Sequence, residues 1–211
     1  LAARANELLD YEFTIIDTGI YPTQNHIWGF WRMPWLSNAK LISRKTWYKW
    51  KIISANKSIT HSTKVFPYTA INRNDWMNDC KKKAITNDVK FKDKYSKIHK
   101  SQIIDSRPPK IPNNNMLQHF VGYEVQTDKD VFDDTTAILM DFRCDQSLGM
   151  HFIYCLPFSK RQALVESTLF SPKKAPSKFY GNAIKKYLND IISVDNFTIL
   201  RKEKGIIPLG I

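Results

Sequence analysis

The chain has little of what a secreted or membrane-spanning protein needs. It holds 3 cysteines, Cys80, Cys144 and Cys155, scattered and odd in number. That argues against a disulfide framework or a zinc site, and for a reducing compartment. No run of about 18 apolar residues occurs, so no transmembrane helix is expected. Glycine is scarce, at 7 of 211 residues, and no Gly-x-Gly-x-x-Gly fingerprint is present. Acidic side chains are short as well: 20 Asp and Glu stand against 32 Lys and Arg, a formal net charge of +12. Such an excess favours anionic partners: nucleic acid, acidic lipid headgroups or phosphorylated cofactors. No RNA- or DNA-binding motif accompanies it, the charges are dispersed, and the Lys-rich stretch 81–100 reads as a solvated face. A nucleic-acid partner is therefore not expected. The chain also lacks an initiating Met and a signal-peptide pattern, and it reads as an internal piece of a longer protein.

What is present is an ordinary globular balance, 43% hydrophobic and 13% aromatic, long enough for one sizeable core or two small ones. Residues 1–9 read as the tail of a helix and 13–17 as a short apolar strand ending in Asp17. Residues 21–35 read as a loop holding three of the six Trp, with His26 among them. A hairpin is expected over 47–54 and 58–66, a helix over 74–84, and a second short strand over 102–105. Strands follow at 118–126, 136–142, 150–156 and 162–169. Tyr180, Ile184, Tyr187, Leu188 and Ile191 share one face at helical spacing, which predicts a helix over 178–192. A last strand is expected at 197–201. Helix–strand alternation followed by a largely antiparallel sheet gives an α/β (α+β) class: a nucleotide-binding layer plus a strand-rich domain.

One strand stands out. In "RQALVESTLFS" the period of two sends Leu164, Glu166, Thr168 and Phe170 one way and Ala163, Val165, Ser167 and Leu169 the other. A carboxyl group on such an apolar face is either a satisfied structural acid or a proton donor kept neutral by desolvation. Asp141 and Asp145, with Arg143 between them, form a strand-end cluster; an ion-pair network is one reading and proton steering the other.

Seven blocks, in order, resemble the lycopene cyclases, a family of carotenoid cyclases, and most closely the bacterial-type β-cyclases. They are "HIWGF" (26–30), "IIDSRPP" (103–109), "QHFVGYEV" (118–125), "MDFRCDQ" (140–146), "FIYCLPFS" (152–159), "ALVESTLFS" (163–171) and "LRKEKGIIPLG" (200–210). The match is weak over 44–100. The resemblance implies a flavoprotein with a Rossmann-like FAD/NAD(P)-binding layer and an inserted, mainly antiparallel substrate domain. Residues 1–45 would be part of a discontinuous FAD-binding domain whose fingerprint lies upstream. Residues 46–100 would be inserted strands and a helix, and 101–116 a return to the FAD-binding domain. Residues 117–195 would be the substrate and catalytic domain, and 196–211 a return toward the flavin.

The implied activity is that of an intramolecular lyase or isomerase. It closes the ψ-ends of lycopene into β-ionone rings, giving β-carotene by way of γ-carotene. FAD would be used in reduced form, with NAD(P)H as the reductant and no net oxidation of the carotenoid. Glu166 falls on the family's essential glutamate. The second acid that often follows it is here Ser167. His26, Trp28, Asp141, Arg143 and Asp145 are implied near the substrate. Asp17, Asp105, Arg107, Gly205 and Pro208 are implied near the cofactor, Asp17 as a ribose ligand or else a turn aspartate before Gly19. No metal is called for. A substrate dissolved in lipid implies a cytoplasmic protein held peripherally on the inner face of the membrane, where positive charge suits anionic headgroups. The competing reading is an FAD-dependent monooxygenase or oxidoreductase of the same fold, which would not require Glu166.

Overall fold

The computed structural model describes residues 2–7, 11–17, 19, 24–94, 102–107 and 115–209. In chain order the strands are β1 (Thr14–Ile16), β2 (Ile27–Trp31), β3 (Ser43–Trp47), β4 (Lys49–Ile53), β5 (Ser58–Ser62) and β6 (Tyr68–Asn72). They continue as β7 (Lys90–Lys92), β8 (Leu117–Gln126), β9 (Thr136–Asp141), β10 (Met150–Ser159), β11 (Gln162–Ser171) and β12 (Thr198–Pro208). The helices are α1 (Arg73–Thr86) and α2 (Ser177–Asp190), with 3-10 turns at Ala2–Glu7 and Pro34–Lys40. The fold is mixed α/β with one large sheet.

The chain divides into two compact units: residues 1–28 with 71–109, and residues 29–70 with 110–211. In the first, β1 runs parallel to β7, Thr14 opposite Lys90 and Ile16 opposite Lys92. Ala5, Ala84 and Val89 form its small core, with Phe13 and Ile15 packed against them. Asp17 follows the carboxyl end of β1, its backbone N–H still paired to the Lys92 carbonyl at 3.0 Å.

The second unit is built on a seven-stranded sheet in the order β12-β8-β11-β10-β9-β4-β5. All its pairings are antiparallel except β4 with β9. Helix α2 covers one face. Its buried Ile184, Tyr187 and Leu188 pack with Val125, Ile153, Cys155, Ala163 and Val165 in one core cluster. This is the amphipathic stripe meeting the inward half of each alternating strand.

Several elements differ from the sequence reading. Trp47 belongs not to the β4–β5 hairpin but to β3; it is fully buried, and its indole N–H donates to the Pro157 carbonyl at 3.2 Å. The described part of the expected loop at 21–35 contains β2, whose Ile and aromatic side chains suit a pleated surface. Residues 102–107 form no strand: the Asp105 carboxylate accepts both the Arg107 backbone N–H and its guanidinium, which closes a turn. The last strand runs on to Pro208, because β8 offers pairing along its whole length.

Candidate active site

Strand register assembles the site on the sheet face opposite α2. Pairing sets Tyr154 opposite Glu166, Glu166 opposite Gly122, and Gly122 opposite Glu203. Side chains of directly paired residues share a face, so two carboxyl groups from β11 and β12 meet over a glycine of β8. A Cβ at Gly122 would lie 3.0 Å from Glu203 Cγ and 3.4 Å from Glu166 Oε2. Glycine eases that close approach, since a methyl there would make both side chains give by a few tenths of an ångström. The two carboxyls are hydrogen-bonded to each other. The Thr168 hydroxyl, fully buried, donates to Glu166 Oε1 at 2.8 Å.

Glu166 is held neutral well above the usual carboxyl range. Burial raises its pKa to about 8, helped by the charge of Glu203 and the hydrogen bond to it, while the Thr168 hydroxyl opposes the shift. The neighbouring charges balance without it. Glu124, 5% exposed, takes Arg44 in a bidentate pair, accepts from Gln162 at 2.7 Å and meets Arg201 Nε at 3.2 Å. Arg201 Nη1 reaches Glu203 Oε2 at 2.7 Å. Two guanidinium groups thus meet two carboxylates, and an ionised Glu166, half-buried on the same face, would add a third negative charge with no cation to match it.

Aromatic rings surround this acid. Burial and the nearby Glu166 carboxyl push Tyr154 up to about 12, and burial, Tyr154 and Glu166 push Tyr68 higher still, so both phenols stay neutral. The Tyr154 ring lies 5.2 Å from Phe152, and the Tyr68 ring lies 5.1 Å from Trp31 and 6.3 Å from Trp47. A neutral carboxylic acid among π-faces can donate a proton to an apolar substrate and sustain the resulting cation.

The other expected residues fall elsewhere. Asp141 is fully buried, chelated by Arg143 through Nε at 2.9 Å and Nη2 at 2.7 Å. It pairs with Ile153, so it lies on the α2 side of the sheet, away from Glu166. Asp145 is exposed and accepts the Ser147 N–H, a turn role. Ser167 also faces α2, where it is fully buried at 2.7 Å from His151 Nε2. Burial lowers the His151 pKa, and its Nδ1 faces a backbone carbonyl rather than a carboxylate. That pair satisfies buried polar atoms and is not an activated nucleophile.

His26 and Trp28 belong to the first unit. His26 Nε2 contacts Gln24 Oε1 at 3.1 Å, and Arg73 lies 5.8 Å from the Trp28 ring. Asp105 and Arg107 form an exposed ion pair there, which holds Asp105 down at about 2. Asp17 is exposed and accepts the Gly19 N–H at 3.0 Å. An exposed carboxylate at the carboxyl end of a parallel strand is where a ribose hydroxyl could be met, and the bond to Gly19 is equally that of a turn aspartate. The open side of Gly205 is occupied: a Cβ there would sit 2.5 Å from the Phe120 ring. Pro208 ends β12. Among the described residues no cluster of His, Cys, Asp and Glu is arranged to hold a metal ion.

Sequence reasoning missed Glu203, Gly122, Tyr154 and Tyr68. The signal for Glu203 was present in "LRKEKG", where alternation puts Arg201 and Glu203 on one face. Only the register of β12 on β8 reveals what that face meets.

Residues 92–211, more than half of the chain, match the profile of a family described as lycopene cyclase protein. A lycopene β-cyclase from a Paracoccus species is 28% identical over 121 residues, which is 55% of this chain and 30% of that relative. The chain thus spans about a third of the curated relative's length. Among solved structures, a geranylgeranyl bacteriochlorophyll reductase-like protein from Thermoplasma acidophilum superimposes with a TM-score of 0.63 at 11% identity, covering 99% of this chain and 63% of that one. A flavin-dependent halogenase from Xanthomonas campestris gives 0.60 at 6% identity, covering 98% and 58%. These likenesses give the fold, a Rossmann-like flavoprotein architecture. The sequence match gives the family: the chain belongs to the lycopene cyclases.

Proposed function

We propose that the protein is a lycopene β-cyclase in which Glu166 is the acid. The observation that carries this is the strand register that sets Glu166 beside Tyr154 and a second carboxyl group on an aromatic sheet face, a setting that raises its pKa. Glu166 gives its proton to the terminal C=C of a ψ-end, forming a C–H bond and a tertiary carbocation. The neighbouring double bond attacks and closes the ring. A ring C–H then breaks, its electron pair becomes the ring double bond, and the proton returns to the Glu166 carboxylate. No electron is gained or lost, so the reaction is an isomerisation, and two rounds lead through γ-carotene to β-carotene. The faces of Tyr154, Tyr68 and the adjoining Trp rings stabilise the passing cation.

The cofactor in this proposal is FAD, reduced by NAD(P)H, with Asp17 holding the ribose. Bound reduced flavin supplies an electron-rich ring system without altering the substrate's redox balance. Arg107 is already chelated by Asp105, which argues against a phosphate role for it. The division into a discontinuous FAD-binding domain and a substrate domain at 117–195 belongs to the same proposal. So does peripheral contact with the cytoplasmic face of a membrane. A lipid-dissolved substrate and a net charge of +12 support it, and no described helix is long and apolar enough to cross a bilayer.

The test is expression of the full-length gene in bacteria that accumulate lycopene, beside a Glu166→Gln version, with pigments separated by chromatography. β-Carotene with the parent and lycopene alone with the variant is the expected result. Lycopene alone in both, from folded protein, would move the reading to a monooxygenase or oxidoreductase of the same fold.

A further inference from the structure

Among the described residues, the meeting of two acids over Gly122 has no counterpart on the α2 side of the sheet, where the buried His119 and His151 are each paired with a serine. On the Glu166 side, one strand contributes the proton donor and the edge strand β12 contributes a second carboxylate, 3% exposed and fixed by Arg201 at 2.7 Å. We propose that Glu203 is the positioning residue of the site: its carboxylate, anchored by Arg201, keeps the proton on Glu166 and draws it back after each transfer. For its chemistry this rests on the cyclase reading; the pairing itself does not.

The physical case is electrostatic. Two carboxyl groups that share one hydrogen bond cannot both ionise without strong repulsion. Arg201 pairs with Glu203 and not with Glu166, so the geometry places the proton between them on Glu166. Once Glu166 has protonated a double bond, two anions face each other across Gly122. That raises the affinity of Glu166 for a proton at the moment a ring C–H must be broken. The remaining groups facing the pair are Tyr154 from β10 and Tyr68 from β6, both neutral, and Glu124 and Arg44, which neutralise one another. After burial itself, the Glu203 carboxylate is the largest influence acting on Glu166.

The experiment is an infrared titration of the full-length protein, following the neutral carboxyl band identified by its loss in Glu166→Gln. Wild type should hold that band at pH 7. In Glu203→Gln the midpoint should fall by at least about one pH unit, the usual scale for a charge at this range. Glu203→Asp should give a smaller fall. The upper pH limit of lycopene conversion should move with the midpoint, a change that mere loss of packing would not produce. If Glu203→Gln fails to fold, Gly122→Ala decides: its methyl wedges between the two carboxyls and should also lower the midpoint. An unmoved midpoint in a folded variant, or no neutral band in wild type at pH 7, overturns the proposal. Lycopene conversion with an unmoved midpoint sinks the Glu203 role alone. A moved midpoint with no conversion by the wild type sustains the pair and sinks the cyclase reading.

Discussion

Replacing Glu166 by Gln should make the protein more stable at neutral pH while abolishing its chemistry. An ordinary glutamate loses its proton near 4.5, and burial beside Glu203 holds that of Glu166 to about 8. At pH 7 the unfolded chain therefore releases a proton that the folded chain keeps. Each pH unit of that gap is worth about 1.4 kcal/mol, so carrying the neutral acid to pH 7 costs the native state roughly 3 kcal/mol. Glutamine keeps the shape and both hydrogen bonds: its carbonyl accepts from Thr168, and its amide donates toward Glu203. The sign is fixed by linkage. Below pH 4.5 both states of the wild type hold the proton, and the two proteins should be equally stable. Between 4.5 and about 8 only the folded wild type holds it, so wild-type stability falls as pH rises and the variant pulls ahead. Denaturant unfolding of the full-length proteins at pH 5 and pH 8 measures this directly. The variant should lead by about 4 kcal/mol at pH 8 and by less than about 1 kcal/mol at pH 5. If Glu166 were an ion-paired structural carboxylate, the variant would be the weaker protein, most of all at pH 8. That result, or a gap that does not grow with pH, would refute the reasoning.

Arg44→Ala should cost about 3 kcal/mol, because the buried Glu124 loses its bidentate partner and keeps only Arg201 and Gln162; a loss under about 1 kcal/mol in the denaturant midpoint would contradict the described network. Gly205→Ala drives a methyl into the Phe120 ring and should cost roughly 1–3 kcal/mol. Combining it with Phe120→Leu should recover part of that loss in thermal unfolding, and no recovery would mean that the ring is not what requires glycine.

The α2 side of the large sheet was legible because local periodicity encodes it. Tyr180, Ile184, Tyr187 and Leu188 repeat at helical spacing, and all four are buried against the inward residues of β8, β10 and β11. Glu166 was legible for the same reason, as one odd residue in an alternating strand. Its partners were not. Tyr154, Gly122 and Glu203 sit 12, 44 and 37 positions away in the chain, and only the registers of three strand pairs bring them into one row. A shift of one residue in β12 would send Glu203 to the opposite face and put a lysine beside Glu166. Residues 102–105 misled in the opposite way. Their apolar run has strand propensity, but the Asp105–Arg107 chelate closes the backbone into a turn, and Ile103 and Ile104 are left exposed.

The same alternation bears on Ser167, which stands where lycopene cyclases often carry a second acid. An acid at this position would point toward α2 and His151, on the far side of the sheet from Glu166. It could not share the Glu166 proton without a one-residue slip of β11, which would turn Val165 and Ser167 out of the core. The carboxylate that can share the proton must come from a neighbouring strand at the same level. Glu203 meets that condition, with glycine at the intervening position of β8 and an arginine two residues back to hold its charge. A serine after Glu166 is therefore compatible with a working acid, because the partner that matters is set by strand register and not by adjacency in the chain.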